Sequence, residues 1–361
     1  MAKTTSSTPK RLASLDILRG FDLFLLLFFQ PVLMALCQAT DIEWLKEFSW
    51  HFDHEVWVGF RFWDLVMPLF LFMTGAAMPF SFAHYTSGKS KRDGLYWRIA
   101  RRVVILFLFG MIVQGNLLAL DLNHIYIYTN TLQAIAIGYL IAAVLLLSGD
   151  WKQQICYTMA LLVVYTLPMI VIGDWSPNGN FAYKVDEFIL GNFRGDLSYT
   201  WVWSSLTFGV SVMTGVFAGQ IIKSQRANIQ TALKLLIIGV ALVGIGLLLS
   251  PVVPIIKRIW TSSMTLYSSG WCFILMAIFF WVIDCCGLSK GLNWVKIYGM
   301  NPITAYLLGE VINFRSIVES VSFGLVPILG DFYQVWLTFG NFLILFVILR
   351  FMYNHKIFLK V

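Results

Sequence analysis

The feature that most constrains this chain is a series of apolar runs, each of about 20 residues, that recur along its whole length. A helix of that length crosses a hydrocarbon core of roughly 30 Å. Of the 361 residues 58% are hydrophobic and 12% are charged, which is about half the charge of a soluble domain. We therefore predict an all-α integral membrane protein, a polytopic helical bundle of about ten transmembrane helices.

Short polar connections separate the apolar runs, and none is long enough to form a soluble domain. The chain 1–361 is therefore interpreted as a single transmembrane domain. A shorter apolar stretch, 321–329, is predicted to be interfacial or re-entrant. The ten predicted spans lie near residues 17–38, 58–83, 100–119, 129–149, 153–173, 201–222, 232–250, 262–284, 294–314 and 334–353.

Basic residues are concentrated in the connections on one side of the predicted spans. The net charge of +7 therefore indicates how the chain is oriented in a bilayer, and we expect no nucleic-acid partner. By the positive-inside rule that side is cytoplasmic, and both termini, including a tail at 1–14, lie there. The outer loop 174–200 has a turn at 177–179 among aromatic residues, so we expect it to be ordered. The basic residues are Lys3, Lys10, Arg11, Lys89, Lys91, Arg92, Arg98, Arg101, Arg102, Lys223, Arg226, Lys234, Lys356 and Lys360.

Several other features have a plain structural interpretation. The first run is too long for a cleaved signal and carries Arg19 and Asp22, so we expect it to be retained. Gly215 and Gly219 are spaced for close helix packing, as are the glycines of the seventh run. The cysteines lack metal-ligand spacing and indicate neither a disulfide framework nor a metal site. They are Cys37, Cys156, Cys272, Cys285 and Cys286.

His54 lies just before the second predicted span, and Arg61 and Asp64 lie near the start of that span. Charges inside a membrane are costly, so Arg61 and Asp64 either neutralise each other on one helix face or serve a function. The imidazole of His54 suits general-base chemistry near neutral pH. On one continuous helix, ten residues separate His54 from Asp64 by about 15 Å. We therefore expect Asp53, Glu55 or another loop to orient His54.

Polar groups also mark both ends of the predicted bundle. At the cytoplasmic end, Asp16 and Arg19 begin the first span, and Arg98, Arg101 and Arg102 begin the third. They either follow from topology alone or form a rim that attracts phosphate. At the outer end, Lys257 and Arg258 break the charge rule and precede Trp260 and Ser262, which suggests contact with an anion or carbohydrate. Asn301 and Pro302 interrupt the ninth span.

Five segments, in order, resemble the heparan-α-glucosaminide N-acetyltransferase family of transmembrane acyltransferases. The likeness suggests a compact bacterial relative, without the family's luminal domain, in the cytoplasmic membrane. The segments are RLASLDILRGFD (11–22), HEVWVGFRFWDLVMPLFLFMTG (54–75), TLQAIAIGYL (131–140), KRIWTSSMTLYSSGWCFILMAIFFWVID (257–284) and YGMNPITAYLLGEV (298–311).

The resemblance implies transfer of an acetyl group from cytosolic acetyl-CoA, across the membrane, to the amino group of a terminal glucosamine-type sugar. It implies catalytic roles for His54 and Asp64, and it puts Gln30 where the family has an important asparagine. Direct transfer and an acetyl-histidine intermediate both stay open. Residues expected at the donor are Arg19, Asp16, Arg98, Arg101, Arg102 and Gln133, and those expected at the acceptor are Trp57, Lys257, Trp260, Ser262 and Asn301.

Three alternatives remain at this stage. The first is an acetyltransferase for another envelope glycan or for a hydroxyl acceptor. The second is a transporter of an organic anion or sugar, although we find no internal repeat of the kind common in transporters. The third is a scaffolding protein. In every case the bilayer is a partner, and a homodimer is an open expectation.

Overall fold

The computed structural model describes residues 12–86, 92–115, 121, 125–195, 198–225 and 227–359. Within those ranges the secondary structure is helical, with no strand. The longer helices are α1 (Ala13–Phe24), α2 (Gln30–Ala39), α4 (Val66–Ser81), α6 (Arg92–Val113), α7 (Thr131–Leu147), α8 (Trp151–Ile172), α10 (Ser205–Ser224), α11 (Ile229–Leu249), α12 (Ser262–Phe279), α14 (Pro302–Val311) and α17 (Tyr333–Asn354). The shorter ones are α3 (Glu43–Trp50), α5 (Ala83–Thr86), α9 (Phe181–Leu190), α13 (Asn293–Met300), α15 (Phe314–Ser322) and α16 (Val326–Leu329).

Three of the non-α turns in the described chain bear on the predicted spans. A π-helical turn at Leu25–Phe29 joins α1 to α2, so one helical segment runs through Ala13–Ala39. A second π turn, Phe280–Cys285, continues α12. A 3₁₀ turn at Phe62–Leu65 leads into α4. The second predicted span therefore begins at residue 62 rather than 58, and this difference shapes the site described below.

Seven helical segments of the described chain are long and apolar enough to cross a membrane, which makes the protein a polytopic helical membrane protein. The remaining three predicted spans also fall on helices. Of these, α6 opens with charged residues, α7 has only 17 residues, and the ninth run is broken between α13 and α14 at Asn301. Ten spans and cytoplasmic termini therefore stay predictions.

Capping side chains determine where several helices begin. An oxygen of Asn130 accepts the backbone N–H of Leu132 at the start of α7, and Asp150 accepts that of Gln153 at the start of α8. At the other end of α8, Gly173 adopts a left-handed conformation with φ of 67°, which ends the helix. Local polar residues thus stop and start helices within an apolar sequence.

The centre of the bundle is the pair α4 and α10. In their apolar windows 67% and 72% of the residues are buried, against 22% in α8 and in α11, which lie at the periphery. A Cβ on Gly215 would lie 1.9 Å from the carbonyl oxygen of Phe72, and one on Gly219 would lie 2.3 Å from that of Ala76. Only glycine allows this approach, so the predicted packing role of Gly215 and Gly219 is confirmed.

The glycines of α11 divide into two kinds. A Cβ on Gly239 would lie 2.8 Å from the carbonyl oxygen of Gly270, and one on Gly246 would lie 2.7 Å from the backbone nitrogen of Tyr267, so both glycines bring α11 against α12. Gly244 has no atom within 4 Å of the same position. The packing role predicted for the seventh run therefore holds for Gly239 and Gly246, and it is wrong for Gly244.

Loops at one end of the bundle join into a single layer. The backbone N–H of Gly59 donates to the oxygen of Ile255 at 2.9 Å, and that of Thr200 donates to Arg258 at 3.0 Å. The buried carboxylate of Asp186, in α9, accepts the backbone N–H groups of 201–203, in the loop before α10. These segments lie in or beside the loops that the charge pattern assigns to the outer face.

Some sequence predictions fall outside the described residues. They include residues 1–11 of the predicted tail and residues 120 and 122–124, after the third predicted span. Seven of the basic residues used to assign orientation also lie outside them, namely Lys3, Lys10, Arg11, Lys89, Lys91, Arg226 and Lys360.

Candidate active site

Three charged or titratable side chains meet in the outer layer of loops. His54 Nδ1 lies 2.9 Å from Asp64 Oδ1, and Lys257 Nζ lies 3.0 Å from His54 Nδ1 and 3.2 Å from Asp64 Oδ1. The carboxylate is sealed from solvent, with 1% of its side chain exposed, and Lys257 is 8% exposed. The imidazole of His54 is 42% exposed. Asp64 and Lys257 therefore form a buried ion pair, and the solvent-accessible imidazole of His54 contacts both of them.

A turn in the backbone brings His54 to Asp64 and corrects the separation of about 15 Å that a continuous helix would impose. Residues 54–61 are not helical. Asp64 Oδ2 accepts the backbone N–H of Glu55 at 3.2 Å, which folds the loop back over the start of α4. Gly59 has φ of 134°, a conformation that disfavours other residues. The expectation that Asp53 or Glu55 orients the ring of His54 is therefore wrong.

Arg61 also departs from the sequence interpretation. It precedes the first helical turn in an extended conformation, so its side chain does not share a helix face with Asp64. Its Nε donates to Glu55 Oε2 at 3.0 Å, and its guanidinium lies 4.1 Å from the ring centroid of Trp50. This ion pair lowers the pKa of Glu55. Mutual neutralisation of the Arg61 and Asp64 side chains is therefore wrong, because only the backbone N–H of Arg61 reaches Asp64.

The electrostatics of the group are set by the burial of Lys257. Burial lowers its pKa to about 8, and the carboxylate of Asp64 partly offsets this effect. Two tautomers of His54 fit the geometry. When Nδ1 carries the proton it donates to Asp64, and Nε2 is a base. When Nδ1 accepts from Lys257, Nε2 carries the proton and is a donor. The arrangement can therefore both take up and return a proton at Nε2.

His54 and Lys257 line a cavity of about 310 Å³, which we call the histidine cavity. Its wall combines aromatic rings with hydroxyl, amide and charged groups, which is the lining expected of a site for a polar organic molecule. The lining residues are Leu26, His54, Trp63, Val66, Met67, Phe70, Thr129, Asn130, Thr131, Tyr199, Trp201, Lys257, Tyr306 and Glu310.

A second cavity of about 170 Å³, the basic cavity, is lined by Arg19 and Arg102 together with residues of α4, α7 and α14. Arg19 donates to the carbonyl oxygen of Met73 at 2.9 Å and lies 3.9 Å from Asp16. The guanidinium of Arg102 lies 4.6 Å from the ring centroid of Tyr139, and its buried Nε has no hydrogen-bond partner. A phosphate would satisfy that donor.

The two cavities are neighbours. Phe70, Thr131 and Tyr306 line both of them and therefore lie between the two cavities. One cavity thus carries Arg19 and Arg102, and the adjoining one carries His54.

Other residues predicted for the donor site lie elsewhere. Arg98 and Arg101 are exposed on α6 and line neither cavity. Gln133 is fully buried, and its amide bonds the backbone of the preceding loop at Ile127, Thr129 and Asn130. Gln133 is thus occupied in capping α7 and is not positioned to contact a ligand in either cavity.

The residues predicted for the acceptor site, apart from Lys257, also hold structure together. Trp57 donates from its indole to the oxygen of Trp175 at 2.7 Å, and Trp260 donates to Ser211 at 3.1 Å. The hydroxyl of Ser262 lies 2.5 Å from that of Thr166. None of the three predicted residues lines the histidine cavity.

Gln30 and Asn301 are likewise separate from His54. Gln30 begins α2 and does not line the histidine cavity. Asn301 lies at the break between α13 and α14, where its amide donates to the oxygen of Ile357 at 3.1 Å and accepts the N–H of Leu359 at 3.2 Å. It anchors the C-terminal segment.

Sequence reasoning missed several residues of the histidine cavity. The hydroxyl of Tyr199, the amide of Asn130 and the carboxyl of Glu310 come from three separate segments. Glu310 had a detectable signal, since it is an acidic residue within the ninth apolar run. Among the described residues, no group of three or more His, Cys, Asp or Glu side chains is placed to hold a metal ion.

Comparisons with known proteins agree with the resemblance noted in the sequence. No protein-family model matches the chain. The human heparan-alpha-glucosaminide N-acetyltransferase is 24% identical over 370 aligned residues, which cover 85% of this chain and 54% of the human protein. The mouse protein of the same name is 22% identical over 86% of this chain and 55% of its own length. The chain thus spans about half the length of these relatives. Over about 85% of its length the chain is thus similar to the human and mouse heparan-alpha-glucosaminide N-acetyltransferases.

Proposed function

We propose that this chain is a membrane-bound acetyltransferase that moves an acetyl group from acetyl-CoA, at the basic end of the bundle, to the amino group of a glucosamine-type sugar at the other end. The observation that carries the proposal is the pair of adjoining cavities, one with two arginines and the other with the His54–Asp64–Lys257 group. The relationship to two named N-acetyltransferases supports the reaction class.

The donor would be held at the basic end. The phosphates of coenzyme A cannot cross hydrocarbon without a large desolvation cost, so they stay at the aqueous edge. Arg19 and Arg102 supply guanidinium groups there, and the unpartnered Nε of Arg102 fits an anionic ligand. The acetyl end of the donor extends toward Phe70, Thr131 and Tyr306, where the two cavities meet.

The acceptor would enter the histidine cavity. Rings such as Trp63 and Tyr199 offer flat apolar surfaces for a sugar face, and Thr129 and Asn130 offer groups that hydrogen-bond hydroxyls. The acceptor thereby meets His54 on the side opposite the arginines.

In this mechanism His54 works through Nε2, because Nδ1 is engaged with Asp64 and Lys257. His54 either removes a proton from the attacking amine or attacks the acetyl carbon itself and then passes the acetyl group on. In both routes a new bond to the acetyl carbon forms, the carbon–sulfur bond breaks, and the sulfur leaves as a thiol after taking a proton. The cation of Lys257 stabilises the buried carboxylate of Asp64.

The test measures transfer of labelled acetyl from acetyl-CoA to glucosamine by purified protein. We expect His54→Ala to lose transfer. His51→Ala is the matched control, because His51 lies in the same loop and its exposed ring does not line the cavity. Equal activity of both variants and the parent would overturn the role of His54. Absence of both transfer and acetyl-CoA binding in folded parent protein would overturn the proposed function.

A second comparison addresses the donor end. Arg102 and Arg101 are consecutive on α6, but only Arg102 lines the basic cavity. We expect Arg102→Ala to weaken acetyl-CoA binding about 10-fold or more, in line with the loss of a charge-assisted hydrogen bond. Arg101→Ala should leave binding nearly unchanged. Equal weakening in both variants would indicate a diffuse surface charge effect instead of a site.

A further inference from the structure

Glu310 is the only acidic side chain among the described residues that line the histidine cavity. On α14 it follows Ile303 and Tyr306 at helical spacing, and those two residues also line the cavities. Glu310 is exposed, and it makes no hydrogen bond or ion pair with the described residues. Its carboxyl therefore belongs to the cavity and is not used to hold the fold together.

A carboxylate within an apolar run has a free-energy cost in the membrane, so its presence indicates a function. Charged side chains in membrane segments generally face the interior or a water-filled cavity and mark functional sites. The titratable groups that line the cavity with Glu310 are His54, Lys257, Tyr199 and Tyr306. The described residues of α1, α6, α13 and α17, which pack against α14, add no titratable side chain to this lining.

The balance of protons distinguishes amine acceptors from hydroxyl acceptors. An amino sugar in neutral solution is largely an ammonium ion, and its nitrogen must lose two protons to become an amide. One proton leaves with the thiol product, and the other needs a second base. A hydroxyl acceptor loses one proton, which the thiol carries away. An enzyme for amines therefore needs one proton acceptor more than an enzyme for alcohols.

We propose that Glu310 binds the ammonium group of the acceptor and takes its first proton, and that it thereby selects amines over alcohols. This inference rests on the proposed function and names the acceptor class of the same site. The ammonium donates a hydrogen bond to the carboxylate of Glu310 and then transfers that proton to it. The neutral amine forms the nitrogen–carbon bond while His54 accepts the second proton. His54 returns its proton to the departing sulfur, and Glu310 releases its own to the outer solution.

The test compares Glu310→Gln with the parent over a range of pH, using glucosamine as acceptor. At pH values where glucosamine is an ammonium ion, we expect kcat/KM to fall about 10- to 100-fold, a loss typical of a missing proton-transfer group. Above the pKa of the sugar amine, the deficit should shrink to about 3-fold or less. The other ionisable groups of the site are the same in both proteins, so the ratio of variant to parent cancels their effect. Glu310→Asp keeps the carboxylate and should restore part of the activity at low pH.

Glu319→Gln is the matched control, because Glu319 is an exposed glutamate of α15 that does not line the cavity. It should follow the parent at every pH. If Glu310→Gln lowers kcat/KM equally at all pH values, or at none, the inference about Glu310 is overturned. Acetyl transfer by the parent protein would still uphold the proposed function.

A binding experiment decides the inference even without turnover. Thermal shifts with glucosamine and with glucose report ligand binding to each protein. We expect the parent to prefer glucosamine and Glu310→Gln to lose that preference while acetyl-CoA binding is retained. An unchanged preference in the variant would overturn the role of Glu310. If the parent protein prefers glucosamine over glucose but transfers no acetyl group, the proposed reaction is overturned and the ammonium-binding role of Glu310 is retained.

Discussion

Asp64 organises the candidate site more than any other residue. Its two carboxylate oxygens bind His54, Lys257 and the backbone N–H groups of Glu55 and Arg61. A carboxylate that is fully removed from solvent is stable only when such partners surround it. The loop, the histidine and the lysine are therefore held by one side chain at the first turn of a central helix.

Replacing Asp64 with asparagine keeps its size and removes its charge. We expect kcat for acetyl transfer to fall about 10²- to 10⁴-fold, because His54 loses the group that sets its tautomer. Acetyl-CoA binding should change little, since the arginines lie in the other cavity. Asp53→Asn is the control, because Asp53 is 69% exposed and its carboxylate contacts the backbone N–H of His54 and, at 4.0 Å, Arg61, but not the imidazole ring. A loss in Asp53→Asn equal to that in Asp64→Asn would contradict the assignment.

The lowered pKa of Lys257 gives a pH dependence of stability. In the unfolded chain this lysine has an ordinary pKa of about 10.4, and in the folded protein its pKa is about 8. Between these values the unfolded chain binds more protons, so the contribution of Lys257 to the free energy of unfolding rises with pH. We expect the apparent midpoint of thermal unfolding to rise less, or fall more, from pH 8 to pH 10 in Lys257→Met than in the parent. Lys290→Met, at an exposed position, should keep the slope of the parent.

Sequence reasoning found the participants of the site but missed their contacts. His54, Asp64 and Lys257 each stood out by position and charge. The distance rule for a continuous helix then separated His54 from Asp64, because no local pattern revealed that the helix begins at Phe62. The contact with Lys257 joins residues 203 positions apart and depends on packing of α4 against α12. Such contacts follow from tertiary structure and are not encoded in local spacing.

At the scale of helices, glycines determine how closely α4 and α10 approach. A Cβ on Gly75 would lie 1.8 Å from the oxygen of Val212, and one on Gly215 would clash with Phe72 in the same way. The contact is between backbones, so rotation of a side chain cannot relieve it. Close approach of this kind compensates for the lack of a hydrophobic driving force between helices in lipid.

This packing predicts opposite effects for two Gly→Ala changes. Gly215→Ala should lower the free energy of unfolding by about 1–3 kcal/mol, because the helices must separate to admit the methyl group. Gly244→Ala meets no atom within 4 Å and should stabilise α11 by up to about 1 kcal/mol through helix propensity. Thermal unfolding of both variants in the same detergent checks the difference. Equal effects would show that the α4–α10 contact is looser than described.

Most helices were predictable from the length of the apolar runs. The breaks and changes of winding within those helices were harder to predict. The break at Asn301 was expected from the asparagine–proline pair and is observed between α13 and α14. The π turn at Leu25–Phe29 had no sequence signal, since its residues are all apolar, and the single charge in Phe280–Cys285, Asp284, did not indicate a change of winding. The chain specifies where a helix stops by polar residues and glycine, whereas local changes in winding depend on neighbouring helices.

At the scale of the whole molecule, His54 lies against the start of α4, whereas the basic cavity with its arginines extends along α4 toward Ser81, where that helix ends. Positive-inside topology predicts that the His54 end is extracytoplasmic. The proposed reaction requires this orientation, because acetyl-CoA is made in the cytosol and an acceptor at the His54 end then lies across the membrane.

Cysteine labelling tests this orientation. In a background with the five native cysteines replaced by alanine, Asn178→Cys marks the loop before α9 and Lys290→Cys marks the opposite end; both positions are exposed. We expect an impermeant maleimide to label only Asn178→Cys in right-side-out vesicles. Disruption of the vesicles should expose Lys290→Cys as well. Labelling of Lys290→Cys alone in intact vesicles would reverse the topology and place the histidine on the cytosolic side.

The shared wall of Phe70, Thr131 and Tyr306 has an electrical consequence. Where water enters cavities from both ends, most of the membrane voltage falls across this thin insulating layer instead of across roughly 30 Å of hydrocarbon. In the proposed reaction the acetyl group is neutral and would cross without electrical work. A proton that His54 takes up on the outer side and delivers to the thiol on the inner side would carry one charge through the field, worth about 2.3 kcal/mol per 100 mV. The proposed turnover would then depend on the membrane voltage, and a membrane that is negative inside would drive it forward.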